Sequence, residues 1–174
     1  MMWPQFTLAD VERANAAWGA NCGPTALAAI CGLTLDEVRP HMGDFESKRY
    51  TNPTLMFAAL RSTGRPWRRV GIHLIETLGL ASAWPRWGLC RIQWEGPWTQ
   101  PGVPAAARYR NTHWVGAAYH VERGMGVWDV NALANGTGWV AMADWEHVVV
   151  PSILETYPRA SGGWHITHAI EVDR

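Results

Sequence analysis

The chain of 174 residues is short of lysine, of cysteine and of net charge. Lys48 is the single lysine among 15 basic residues, and 15 acidic residues balance them to a formal net charge of zero. Such a balance argues against a protein that works mainly by global attraction to phosphate backbones or anionic membranes. Three cysteines make no disulfide framework, and the odd count leaves at least one thiol outside any intrachain bridge. No run approaches the ~20 apolar residues of a spanning helix. The start, Met1-Met2-Trp3-Pro4-Gln5-Phe6-Thr7, lacks a basic stretch followed by an apolar one. The expectation is a soluble, cytoplasmic protein with reduced cysteines and no membrane partner.

Apolar residues make up 48% of the chain, which excludes a disordered polymer. The length suits one domain over residues 1–174. Twelve tryptophans stand against four tyrosines and three phenylalanines. With the Arg, Ala, Gly and Pro excess, this composition fits a GC-rich coding genome.

The first third reads as helical. Leu8, Val11, Ala14 and Trp18 share a helical face over 8–18. Asn21-Cys22-Gly23-Pro24 breaks the chain, Pro24 opens a second helix, and Gly32 closes it after Cys31. Thr34-Leu35-Asp36-Glu37 is a capping box. Asn52-Pro53 starts a further helix that ends before Gly64. The remainder reads mainly as strands, at 68–72, 89–94, 113–120, 126–130, 138–141 and 166–172. Residues 96–110 read as a Pro-rich loop, and 144–149 as a short helical turn before Pro151. Helices first and strands afterwards indicate an α+β domain.

The sharpest feature is Trp18-Gly19-Ala20-Asn21-Cys22-Gly23-Pro24-Thr25. It sets a cysteine at the N-terminal lip of a helix, where orphan N–H groups and the helix dipole favour a thiolate. The same N–H groups can donate to an oxyanion, and Gly23 leaves room for an incoming carbonyl. A nucleophilic thiol needs a base. Of seven histidines, His113 fits best, at the mouth of an otherwise apolar strand. The base needs an orienting partner. Asp129 and Asn131 lie on the next predicted strand and share a face. Hairpin counting favours Asn131, whereas burial of a charge within an apolar strand favours Asp129.

Asn-Cys-Gly-Pro-Thr-Ala-Leu, a later His-Trp-Val and then Val-Trp-Asp resemble the papain-like cysteine peptidases, the C39-like group among them. The resemblance implies a helical N-terminal part, with the nucleophile at a helix start, packed on a C-terminal antiparallel sheet. It implies a Cys22, His113, Asp129 triad, with Asn131 as the alternative third member. A small bacterial or phage-encoded member would fit the size and composition. The resemblance has two departures. Ala16 stands where the family carries the oxyanion-hole Gln, and Val130 where many relatives carry Pro. Losing one oxyanion donor costs about 10²–10³ in rate, so Asn15 and Asn21 become the oxyanion candidates.

Cys31 and Cys90 read as core residues, and no metal or cofactor is expected. His165 and His168 would face opposite sides of a strand, which does not suit a zinc site. Trp18, Trp98 and Trp114 are candidates for a substrate groove near the Pro-rich loop. Arg61, Arg65, Arg68 and Arg69 form a local basic cluster for which nucleic acid is not the expected partner. The expected activity is hydrolysis of a peptide or isopeptide bond in a polypeptide or other acyl substrate, through a thioester on Cys22. Acyl transfer of the transglutaminase kind is the alternative on the same triad. A catalytically impaired binding module using the Arg cluster and Trp-lined loop is another.

Overall fold

The computed structural model describes residues 4–70 and 84–174. Five helices come first: α1 (Leu8–Trp18), α2 (Cys22–Cys31), α3 (Leu35–Val38), α4 (Phe45–Lys48) and α5 (Pro53–Ser62). Local chemistry sets their ends. Thr7 and Asp10 cap α1 reciprocally, and Thr34 and Glu37 do the same for α3. Asn21 and Asn52 each accept a backbone N–H at the start of α2 and α5. Gly19 ends α1 in the left-handed conformation at φ 80°, and Gly32 ends α2 likewise.

Six strands follow: β1 (Trp67–Arg69), β2 (Trp87–Trp94), β3 (Thr112–His120), β4 (Gly124–Trp128), β5 (Trp139–Ala141) and β6 (Trp164–Val172). They form one antiparallel sheet in the order β1-β6-β2-β3-β4-β5. The α+β expectation holds. Of the expected strand 68–72, residues 71–72 lie outside the described residues.

Two expectations need correction. The Pro-rich loop 96–110 contains a 3-10 turn, Pro97–Thr99, and a helical turn, Ala105–Arg108. The helical turn expected at 144–149 is longer, running from Met142 through Leu154 with its middle, Trp145–Val149, wound as a π-helix. Pro151 does not stop it. That residue sits in the first turn of the final segment, where the missing N–H costs little.

Both faces of the sheet are covered. Trp87, Leu89, Trp114, Ala118 and Ile170 pack against α1–α5. Cys90, Ile92, Trp94, Val115, Val127 and Ile166 pack under Trp145, Val149 and Val150. Burial on both sides explains why every residue of β2 is buried. It also exposes two anomalies on that strand, Arg91 and Gln93, which are polar and buried. Among the described residues, no helix is long and apolar enough to cross a membrane.

Candidate active site

Cys22 is the first residue of α2 and is half-buried. Its own N–H donates to no protein acceptor among the described residues, as expected for a first helical position. His113 enters from the start of β3, where side chains alternate between faces. His113, Val115 and Ala117 therefore point away from Trp114 and Ala118. Trp94 stacks on the imidazole at 5.8 Å between ring centroids and 26° between planes, fixing the ring's plane.

Nε2 of His113 lies 3.0 Å from each carboxylate oxygen of Asp129. That leaves Nδ1 as the ring nitrogen open to Cys22, which lines the same two cavities as His113. Asp129 is fully buried, and each of its oxygens has a second donor. The backbone N–H and side-chain amide of Asn131 donate to Oδ1, both at 2.9 Å. The indole N–H of Trp145 donates to Oδ2 at 2.8 Å. A buried carboxylate is costly unless it is satisfied in this way.

These contacts separate the two candidates for third member. The β3–β4 register, with Gly116 opposite Trp128, would carry His113 to the level of residue 131. The strand ends at Trp128, however, and Asp129 caps a 3-10 helix at Val130–Asn135. The turn lifts Asn131 off the strand and brings Asp129 onto the imidazole. Asn131 is a support for Asp129, not a partner of His113.

Charge follows the geometry. Burial pushes the Cys22 thiol up, but His113, by charge and hydrogen bond, and the Trp114 backbone N–H outweigh it and hold the thiol below its ordinary value. Burial pushes His113 down, and the Asp129 and Cys22 charges together carry it well above the ordinary histidine value. Burial likewise raises Asp129, and His113 with the donors from Trp145 and Asn131 brings it below the ordinary carboxyl value. These directions shift the balance toward a thiolate–imidazolium pair backed by a carboxylate.

Both oxyanion candidates keep a donor. Asn21 Oδ1 accepts from the Gly23 N–H, and one of its two Nδ2 hydrogens goes to the Arg49 carbonyl. Asn15 uses one of its two amide hydrogens on the Ala20 carbonyl at 2.8 Å. Both residues line the smaller cavity beside Cys22 and His113. Ala16, next to Asn15, does not line that cavity.

Gly23 has a different role from the one expected. A side chain there would collide with Thr51, whose carbonyl accepts the Trp114 indole N–H at 2.7 Å. The glycine lets Thr51, in the segment before α5, close onto the start of α2.

A cleft of about 1520 Å³ opens over Cys22 and His113. Of the three groove tryptophans, only Trp114 lines it. Trp18 is core, packed edge-on against Phe45, because its helical face turns inward. Trp98 packs with the opposite core and donates to the Trp94 carbonyl at 2.6 Å. The basic cluster is dispersed on structural tasks: Arg65 caps the Cys31 carbonyl, Arg68 pairs with Glu171, Arg69 lies over Phe57, and Arg61 is exposed.

No protein-family model matches the chain, and no curated protein matches it. The site therefore has to be argued from its own chemistry. Cys31 is pushed up to about 11 by burial, with Arg65 opposing, and Cys90 is raised well above the ordinary value by burial alone. Among the described residues, no cluster of three or more His, Cys, Asp or Glu is placed to hold a metal.

Several site residues escaped the sequence reading. Trp94 and Trp145 carried no signal that set them apart from ten other tryptophans. Tyr157 lines both cavities from beyond the helical segment. Arg91 had a signal: a charge inside Leu89-Cys90-Arg91-Ile92 is the same anomaly that marked Asp129.

Proposed function

We propose that this chain is a papain-like, cysteine-dependent acyl hydrolase acting on a peptide, isopeptide or related acyl bond. The observation that carries the reading is the grouping of Cys22, His113 and Asp129: Cys22 and His113 share the cleft, and His113 bonds Asp129. This grouping lies in an open cleft and lowers only the thiol that faces the cleft. Burial alone does the reverse at Cys31 and Cys90.

The chemistry follows from the protonation states. The Cys22 thiolate attacks the acyl carbon, and the carbonyl oxygen becomes an oxyanion. The Cys22 N–H and the remaining amide hydrogens of Asn15 and Asn21 are the available donors. The His113 imidazolium gives its Nδ1 proton to the leaving amine as the C–N bond breaks, leaving a thioester on Cys22. Neutral His113 then takes a proton from water, which attacks the thioester. The acid departs and the thiolate–imidazolium pair returns. Asp129 holds the ring orientation and the charge on Nε2 throughout. If an amine enters in place of that water, the same steps transfer the acyl group.

p-Nitrophenyl acetate with intact-mass and peptide mapping tests this. The expected result is a single acetyl group that accumulates on Cys22, is absent in Cys22→Ala, and forms at least about 10²-fold more slowly in His113→Ala. Acetylation scattered over the surface and indifferent to Cys22→Ala would contradict it.

A further inference from the structure

Arg91 lies near the middle of β2, is 7% exposed, and lines the cleft over Cys22. A buried guanidinium ordinarily has a carboxylate partner. Among the described residues this one has none: its Nη2 donates to the Tyr109 carbonyl at 3.3 Å and to the Thr112 hydroxyl at 3.2 Å, both neutral acceptors. Nε is buried and makes no hydrogen bond. Nη1 makes none to the protein either, yet it is not enclosed.

The surroundings do not supply the missing charge. Among the described residues no Asp or Glu lines the cleft, whereas Arg49 and Arg110 do. His168, opposite Arg91 on β6, is pushed down to about 4 by burial and by Arg91 and Arg69, so it is neutral near pH 7. Burial is also the largest influence on Arg91, and the groups opposing it are the Tyr109 phenol and Cys22. Arg91 and Cys22 line the same cleft. Keeping an unpaired cation buried is costly unless an anion arrives to complete it.

We propose that Arg91 is the anion-binding element of the substrate cleft and selects an acyl substrate bearing a carboxylate near its reacting carbonyl. The proposal rests on the acyl-hydrolase reading of Cys22. It assigns a preference that the triad does not. A guanidinium edge suits a carboxylate because donors and charge are presented together.

Two alkylating reagents of the same shape provide the test. Iodoacetate carries a carboxylate and iodoacetamide a neutral amide. The rate ratio at Cys22, iodoacetate over iodoacetamide, is measured by peptide mapping in the wild type, Arg91→Met and Arg91→Lys. Any change in the thiolate itself affects both reagents and cancels in the ratio. The expected result is a ratio that falls about tenfold in Arg91→Met, the loss of one charge-assisted hydrogen bond, and is partly kept in Arg91→Lys. An unchanged ratio in Arg91→Met overturns the proposal.

Succinate binding to Cys22→Ala, followed by calorimetry against succinamide, tests the subsite without the thiol. Binding of succinate alone, lost in Arg91→Met, supports it even if Cys22 alkylates no faster than Cys31 and only the nucleophile reading fails. No preference for succinate over succinamide overturns it.

Discussion

Cys22 and Cys31 are the first and last residues of one helix, and they are held in opposite states. The helix dipole has the right sign at both ends but contributes only about 0.3–1 kcal/mol. The rise of Cys31 from 9.0 to about 11 corresponds to about 3 kcal/mol. Burial, not the dipole, accounts for most of it. Cys22 also suffers burial, yet His113 and the Trp114 N–H reverse the outcome. The helix start thus makes the thiolate possible, and the neighbouring strand makes it favourable.

The largest expected effect removes that strand's contribution. In His113→Ala, alkylation of Cys22 at about pH 6 should fall about 10²-fold, because a free thiol with pKa about 8.5 is less than about 1% ionised there. Site-resolved mass spectrometry would read it, with Cys31 silent in both proteins. Retained fast labelling would mean that the helix end alone activates the thiol. A smaller effect is expected for Gly23→Ala, whose methyl group must displace Thr51. Urea unfolding should show a loss of about 1–3 kcal/mol, whereas an unchanged midpoint would show that the Thr51 segment yields freely. Smallest is Asn131→Ala, which removes one of two Asn131 donors to Asp129. It should cost about 0.5–1.5 kcal/mol and leave His113 oriented. A loss as large as that of Asp129→Ala would restore Asn131 to the triad.

Much of the site was legible because its residues break local rules. Cys22 at a helix start, His113 at a strand mouth and Asp129 in an apolar strand each stand out by position alone. The fold class followed from the order of helices and strands, and the capping box of α3, the Asn52-Pro53 start of α5 and the Gly32 end of α2 from their residue types. What escaped depends on three-dimensional approach. The choice between Asp129 and Asn131 turned on where β4 gives way to a 3-10 turn, which pairing counts do not contain. Gly23 looked like a gap for substrate because Thr51, 28 residues away, was not visible beside it. The tryptophans divided between two cores and the cleft wall according to strand parity, and composition alone carries no parity.

The pH dependence of alkylation, resolved for each cysteine in the wild type, tests the central claim most directly. The Cys22 pKa is lowered in the fold, so its thiolate should persist as pH falls below the ordinary thiol range and be lost only on passing the lowered value. The His113 pKa is raised, so the ion pair should hold below the ordinary histidine value and dissolve only as pH rises through the raised one. The account predicts fast labelling of Cys22 on the acid side of about pH 7, with Cys31 silent until pH nears about 11. Three cysteines rising together near the ordinary thiol pKa would contradict it.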